Sequence, residues 1–221
     1  MIELNTIYNE DCLETMKRMP DNYIDLILTD PPYGISADSK MAKQAGTKYG
    51  KALAAKKDYG VTDWDKSIPG KEIFEQIFRV SKKQVIFGGN YFTEHLPPSA
   101  NWIVWDKRVE DKYNNNFADC ELVWASGGGA ARIIRYLWSG FLQGDMKNKE
   151  KRDHPTQKPL PVIKKLVEMF STEGELIYDP FMGSGTTAKA CIDLNRNYIG
   201  SELSKEYCDI AEERLKQGVL L

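Results

Sequence analysis

The sequence lacks the features of a membrane or exported protein. No apolar run in its 221 residues reaches the length of about 20 residues that a membrane-spanning helix needs. The opening stretch, MIELNTIYNEDC, does not place a basic segment before an apolar one, as a secretory signal does. We therefore expect a cytoplasmic protein that does not contact a membrane.

Cysteine and histidine are scarce, and their spacing argues against a metal centre. The protein has four cysteines and two histidines, and no two cysteines form a CxxC pair. We expect free thiols in a reducing compartment and no bound metal. The cysteines are Cys12, Cys120, Cys191 and Cys208.

Neither sign of charge is in large excess, since the formal net charge is −2 at pH 7. The chain as a whole therefore has no electrostatic signature of nucleic-acid binding. Two long segments fit no helix or strand pattern. Residues 35–63 contain six lysines and no acid between positions 40 and 57, and we expect a mobile basic loop there. Residues 127–154 mix glycine, arginine and aromatic residues.

The rest of the chain alternates short apolar runs with helical patterns, which predicts a doubly wound α/β sheet in a single domain over residues 1–221. Continuous apolar runs are typical of parallel strands that are buried on both faces. The helical patterns are KEIFEQIFRV, PLPVIKKLVEMF, TTAKACIDL and KEYCDIAEERLKQ. The predicted strands are 5–10, 23–30, 84–89, 101–107, 120–126, 175–180 and 197–202.

A glycine-rich turn near the end of the chain, DPFMGSGT at 179–186, lies between a predicted strand and a predicted helix. Gly183 and Gly185 allow close approach of a ligand, and the helix start offers free N–H groups. Glu202 ends the next strand, where an acid suits the hydroxyls of a ribose. The turn is not GxGxxG and has no Walker lysine, so a nucleoside without pyrophosphate fits better than a dinucleotide.

A second motif, DPPYG at 30–34, follows a buried apolar strand. Ligands of open α/β sheets bind at the carboxyl ends of the strands. The Asp30 carboxylate and the rigid Pro31 carbonyl provide two acceptors, which match the two donors of an exocyclic amino group. Pro32 shapes the turn, and Tyr33 offers a ring on which a base can stack. The plainer alternative is a strand-end turn with a capping aspartate.

These two motifs, together with HPTQKP at 154–159, resemble those of the S-adenosylmethionine-dependent DNA amino-methyltransferases. The order, with DPPY first and the glycine turn last, resembles the β class of that family. The resemblance implies a circularly permuted, seven-stranded, Rossmann-like methyltransferase sheet that is mostly parallel, with helices on both faces. The implied strand order is 3-2-1-4-5-7-6 with strand 7 antiparallel, where strand 3 is NTIYNE and strand 1 is ELIYDP. It also implies a protein of bacterial or phage origin.

The same resemblance implies a role for individual residues. The implied catalytic residues are Asp30 and the Pro31 carbonyl as acceptors for the target amino group, Pro32 in the turn, and Tyr33 against a base that has left the DNA stack. Glu202 is expected on the ribose of S-adenosylmethionine, Asp11 with the backbone of Cys12 at its adenine, and Thr156 and Lys158 near its methionine carboxylate. Asp11 also fits a helix N-cap. The other expected cofactor-binding residues are Asp179, Phe181, Gly183, Ser184, Gly185 and Thr186.

Double-stranded DNA is the expected partner. Lys48 and Lys51 in the basic loop, and Arg132, Arg135 and Lys147 in the second segment, are candidate phosphate contacts. Residues 127–154 occupy the place of the target-recognition region in β-class enzymes, but they are few. Either they form a small recognition module, or a homodimer shares the DNA between its subunits.

The predicted activity is N6-adenine methylation of DNA, with N4-cytosine methylation as the nearest alternative because it uses the same two acceptors. Asp30 favours adenine, since the first residue of the motif is often serine in the cytosine enzymes. Methylation of an amino group on RNA or protein, a non-catalytic nucleotide-binding protein and an NAD oxidoreductase are further alternatives. Methylation at cytosine C5 is not expected, because that family's nucleophilic cysteine follows a proline and the sequence contains no Pro-Cys pair.

Overall fold

The computed structural model describes residues 2–35, 67–109, 118–139, 142–150 and 157–216. Its helices are α1 (Cys12–Lys17), α2 (Lys71–Val80), α3 (Leu160–Phe170), α4 (Thr186–Asp193) and α5 (Lys205–Lys216). Its strands are β1 (Thr6–Tyr8), β2 (Ile24–Thr29), β3 (Ser81–Phe87), β4 (Trp102–Asp106), β5 (Cys120–Ala125), β6 (Arg132–Arg135), β7 (Trp138–Ser139), β8 (Leu142–Gln143), β9 (Leu176–Asp179) and β10 (Asn197–Ser201).

The main sheet has the strand order β1-β10-β9-β2-β3-β5-β4-β6. All neighbouring pairs are parallel except those of β5, which runs antiparallel to both β3 and β4. The seven predicted strands are therefore confirmed, and they follow the predicted order with one antiparallel strand. An eighth strand, β6, extends the sheet beyond β4. The two strands that precede the DPPY and glycine motifs, β2 and β9, are neighbours in the middle of the sheet.

Helices cover both faces of the sheet, as predicted, because the central strands are apolar on both sides. On β2, the fully buried Leu28 belongs to the core cluster that α3, α4 and α5 cover, while Ile27 belongs to the cluster covered by α1 and α2. On β9, Ile177 and Tyr178 are divided between the clusters in the same way. This alternation follows from the two-residue period of a strand. The four predicted helical patterns are confirmed as α2 to α5.

The prediction that residues 127–154 contain no regular element is wrong. β6 pairs in parallel with β4, and β7 pairs with β8 as a small antiparallel ribbon. The physical reason is that Ile134 of β6 packs against the main core, whereas its neighbour Ile133 is exposed. Arg132 and Arg135 flank these two isoleucines, so the segment contains no apolar run long enough to predict a strand.

The predicted mobile basic loop lies outside the described residues, except for residue 35 at its start. Within the ranges that the structure does describe, none of the helices is long and apolar enough to cross a membrane.

Candidate active site

The predicted site residues come together at one edge of the sheet, because the parallel strands β1, β10, β9 and β2 all end there. Asp11 follows β1, Glu202 follows β10, the glycine turn follows β9 and Asp30 follows β2. This is the edge at which open α/β sheets bind their ligands.

The glycine turn uses two residues in the left-handed region, Gly183 at φ 54° and Gly185 at φ 78°. A Cβ atom at Gly185 would lie 2.9 Å from the Cβ of Ala211 on α5, so glycine is needed there for both backbone and packing. A Cβ at Gly183 would meet nothing within 4 Å. The turn is therefore open on the Gly183 side, as a ligand cradle requires.

Glu202 faces this turn. One oxygen of its carboxylate accepts from the Gly183 N–H at 2.8 Å, and the other accepts from the Ser204 N–H at 2.8 Å. Burial raises the pKa of Glu202, although the hydrogen bonds to backbone N–H groups oppose the shift. A carboxylate presented beside an open glycine turn fits the hydroxyl donors of a ribose, so these residues fit a nucleoside cofactor.

Asp179 lies beneath the turn and is buried. Its carboxylate accepts from the Thr29 hydroxyl at 2.8 Å, from the Phe181 N–H at 3.0 Å and from the Thr187 hydroxyl at 2.7 Å. These partners belong to the end of β2, the turn itself and α4. The carboxylate therefore joins the two motif-bearing loops to each other, and its predicted contact with the cofactor stays a prediction.

Asp30 and Tyr33 contact each other within the DPPY motif. The Tyr33 hydroxyl donates to Asp30 Oδ1 at 2.6 Å, and the ammonium of Lys158 binds Asp30 Oδ2. Burial raises the pKa of Asp30, and the positive charge of Lys158 opposes that shift. The sequence placed Lys158 near the methionine carboxylate of the cofactor, and that role also stays a prediction.

The Tyr33 ring lies among other aromatic rings. It stacks on Tyr91 with ring centroids 4.8 Å apart, and its edge meets Phe92 at 6.0 Å. A Cβ atom at Gly88, which has φ 64°, would lie 2.3 Å from the Tyr33 ring. The glycine after β3 therefore makes the space in which the DPPY tyrosine sits.

Two charged residues that sequence reasoning missed complete this cluster. Glu121 on β5 lies 3.3 Å from the Lys158 ammonium and 3.2 Å from the Lys107 ammonium. Burial alone would raise the pKa of Glu121, but the two ammonium groups outweigh burial and lower it. Burial likewise disfavours the charge on Lys158, but Asp30 and Glu121 outweigh it and raise the pKa of that ammonium. The only signal in the sequence was a glutamate inside an otherwise apolar strand.

Arg214 on α5 is a third residue that the sequence did not reveal. It donates to the Ser184 carbonyl at 3.1 Å and to the Thr186 hydroxyl at 2.8 Å. It also lies 3.6 Å from Glu150, whose carboxylate accepts from the Leu160 N–H at the start of α3. The glycine turn is thus tied to the end of the 142–150 stretch.

The structure also describes three further predicted cofactor-binding residues, Asp11, Cys12 and Ser184. Asp11 caps α1 by accepting from the Leu13 N–H at 2.8 Å, which confirms the N-cap interpretation. Burial raises the pKa of the Cys12 thiol to about 12, so Cys12 stays protonated. Ser184 is buried and donates to Gln157 at 3.4 Å.

The candidate DNA contacts lie on elements other than those that carry the predicted catalytic and cofactor-binding residues, or outside the described residues. Arg132 and Arg135 are exposed on β6 at the far edge of the sheet, and Lys147 is exposed in a turn whose N–H groups bind Asp145. Lys48, Lys51 and Thr156 fall outside the described ranges. In the part of the chain that the structure describes, no group of three or more His, Cys, Asp or Glu side chains could hold a metal ion.

Comparison with known proteins decides the family. The family model described as DNA methylase, for N6 and N4 methyltransferases, matches residues 64–213, which is more than half of the chain. The chain belongs to this family. The predicted resemblance to S-adenosylmethionine-dependent DNA amino-methyltransferases is therefore confirmed for this methylase.

Relatives of the methylase come from several bacteria. The type II methyltransferase M.HinfI of Haemophilus influenzae is 28% identical over 97% of this chain and 69% of that protein. The DNA adenine methyltransferase YhdJ of Escherichia coli K12 is 28% identical over 96% of this chain and 83% of that protein. The crystal structure of the M1.HpyAVI–SAM complex covers 95% of this chain and 99% of its own, with a TM-score of 0.57 and 24% identity. That structural likeness supports the fold.

Because burial raises the pKa of Asp179, we expect the stability of the methylase to depend on pH. Its pKa is raised from 3.8 to about 6, so the folded protein binds a proton that the unfolded chain releases. This contribution is fully present below pH 3.8 and is lost as the pH rises through 6.

We expect wild type to lose roughly 1 to 2 kcal/mol of unfolding free energy, relative to Asp179→Asn, between about pH 5 and about pH 7.5. Urea unfolding of both proteins at the two pH values measures the difference. Parallel pH profiles for the two proteins would show that Asp179 does not titrate in this range.

Proposed function

We propose that this methylase transfers a methyl group to the N6 amino group of adenine in double-stranded DNA, after the base has left the helix. The observation that carries the proposal is the position of Asp30, beside the Tyr33 ring and at the end of a strand next to the glycine turn. At one edge of the sheet, two acceptors match an amino group, an aromatic ring matches a base, and the glycine turn matches the nucleoside part of the cofactor.

The cofactor would lie across the ends of β1, β10 and β9. Glu202 would bind the ribose hydroxyls, and Gly183 to Thr186 would surround the ribose and methionine portions. Asp11 and the backbone of Cys12 would meet the adenine amino group, with Phe181 beside them, and Thr156 and Lys158 would serve the methionine carboxylate. Once bound, S-adenosylmethionine supplies an activated methyl group.

The protein's own contribution to the reaction is orientation and electrostatics. The lone pair of an adenine amino group is delocalised into the ring, which makes the nitrogen a poor nucleophile. Hydrogen bonds from both of its N–H groups, to the Asp30 carboxylate and the Pro31 carbonyl, would draw the nitrogen towards tetrahedral geometry and localise the pair. The Asp30 carboxylate would also accept the proton that the nitrogen releases after methylation. The Tyr33 ring would hold the extruded base by stacking.

Adenine is preferred over cytosine for two reasons. The first residue of the motif is aspartate rather than serine, and one of the relatives with high coverage is named a DNA adenine methyltransferase.

The phosphates of duplex DNA would be bound by Arg132, Arg135 and Lys147, and by Lys48 and Lys51 of the basic loop. Because the 127–154 segment is short, two subunits of a homodimer would share the duplex. With DNA as its substrate, the enzyme would act in the cytoplasm of a bacterial cell, and a type II methyltransferase of Haemophilus influenzae is among its relatives.

Cofactor binding is the first consequence that can be measured. We expect S-adenosylmethionine at about 100 times its dissociation constant to stabilise the fold by about 2.7 kcal/mol, whereas NAD gives no stabilisation. Glu202→Gln should weaken binding by roughly tenfold or more, because it replaces charged hydrogen bonds to the ribose with neutral ones.

Thermal unfolding with titrated ligand measures these effects. Glu168→Gln is the matched control, since Glu168 is exposed on the surface of α3 and, among the described residues, forms an ion pair with Lys165. Equal ligand shifts in the wild type and Glu202→Gln would remove Glu202 from the cofactor site.

The product identifies the substrate. We expect N6-methyladenine in nucleosides digested from the DNA of a methylation-deficient host that expresses the protein, and none above background with Asp30→Ala. Mass spectrometry makes the measurement, and the Asp30→Ala variant should still bind S-adenosylmethionine. N4-methylcytosine in place of N6-methyladenine would contradict the adenine assignment, and full activity of Asp30→Ala would remove Asp30 from catalysis.

A further inference from the structure

The acceptor that the target amino group requires is already in use. Asp30 Oδ1 accepts from the Tyr33 hydroxyl at 2.6 Å, and Asp30 Oδ2 binds the Lys158 ammonium. A carboxylate oxygen can accept more than one hydrogen bond, so a base amino group that donates to Oδ2 either shares that oxygen with the ammonium or displaces it, and in both cases the contact between Lys158 and Asp30 weakens. A neutral N–H group does not displace a buried ammonium unless that charge has another partner.

Water is not an adequate partner for the displaced ammonium. The Lys158 side chain is only 10% exposed, and its Nζ lies 5.6 Å from the centre of the Tyr33 ring and 5.2 Å from that of Phe87. The aromatic faces favour a cation, but they do not replace a carboxylate. The methionine carboxylate of the cofactor, proposed above as a partner of Lys158, would be one such anion. An anion supplied by the protein itself must lie within a short movement of the present position of the ammonium.

Glu121 meets that requirement. Its Oε2 atom lies 3.3 Å from Lys158 Nζ, and its Oε1 atom accepts from Lys107 at 3.2 Å. Among the described residues, Oε2 is a buried oxygen that makes no hydrogen bond of ordinary geometry, although it lies within ion-pair distance of the ammonium. Lys107 thus fixes one oxygen of Glu121, and the other faces the Lys158 ammonium at ion-pair distance.

We propose that Glu121 is a positioning residue that receives the Lys158 ammonium when the target amino group takes its place on Asp30. The inference rests on the proposed function, because it assumes that an amino group binds Asp30. The net charge of the four groups Asp30, Glu121, Lys107 and Lys158 does not change when the ammonium moves. Glu121 then faces two ammonium groups, and Asp30 has a neutral donor in place of a cation. Glu121 acts through Lys158 and does not touch the substrate.

The first test separates DNA affinity from cofactor affinity. In Glu121→Gln, Lys158 keeps only Asp30 as an anionic partner, so the amino group competes less well. We expect KM for unmethylated genomic DNA to rise about tenfold, with the dissociation constant of S-adenosylmethionine changed less than twofold. Transfer of tritiated methyl groups to DNA, over a range of DNA concentrations, measures KM. Glu168→Gln is the control for removal of a surface carboxylate.

If the rise in KM for DNA in Glu121→Gln requires Lys158, Glu121 does not have a merely structural role. In a Lys158→Gln background there is no ammonium to receive, and Glu121→Gln should then change KM for DNA by less than twofold. An equal rise in KM in both backgrounds would overturn the proposal.

A stability cycle tests the sharing of Lys158 without any reference to DNA. If either carboxylate can hold the ammonium, Asp30→Asn and Glu121→Gln each lower Tm modestly, and the double variant loses clearly more than the sum of the two losses. A double variant that fails to fold while both single variants fold is the extreme of this result. Additive losses, or a Glu121→Gln variant that fails to fold by itself, would overturn the proposal. If the wild type methylates no DNA, the proposed function fails, and this cycle still decides whether Lys158 is shared.

Discussion

The site depends on one buried hydrogen bond, from the Thr29 hydroxyl to the Asp179 carboxylate at 2.8 Å. It joins the last residues of β2 and β9, which are neighbours in the sheet although 150 positions apart in the sequence. Asp30 immediately follows Thr29, and the glycine turn immediately follows Asp179. The proposed acceptor for the substrate and the proposed cradle for the cofactor are therefore connected through this buried contact as well as through the pairing of β2 with β9. Burial strengthens such a contact and makes its loss costly.

A second set of charges surrounds the acceptor itself. Asp30, Glu121, Lys107 and Lys158 form a largely buried group with equal numbers of acids and bases. Buried charges in such a group are costly to separate, so the group has few low-energy arrangements. In the absence of substrate, these charges limit which groups can bind the Asp30 carboxylate. The glycine turn, by contrast, is restrained by two hydrogen bonds: Arg214 donates to the Ser184 carbonyl, and the Gly183 N–H donates to the Glu202 carboxylate.

The sequence predicted the sheet well because its central strands are buried on both faces. Runs such as LIL in β2 and LIY in β9 are typical of strands in a parallel sheet that is covered on both faces. β6 could not be predicted, since only Ile134 of its four residues packs on the core and its pairing depends on β4. Asp30 and the glycine turn were predictable because each motif follows a strand directly. Glu121 and Arg214 were not, because each reaches the site only through strand order or helix packing.

The most direct test of the central claim compares two hydroxyls that bind the same carboxylate. Thr29→Val removes the bond that joins β2 to β9, whereas Thr187→Val removes the bond from α4 to the other Asp179 oxygen. The measurement is the single-turnover rate of methyl transfer to DNA at saturating S-adenosylmethionine and DNA. We expect Thr29→Val to slow transfer about tenfold or more and Thr187→Val by less than threefold, because a small misplacement of Asp30 lowers the rate. Equal rates in the two variants would contradict it.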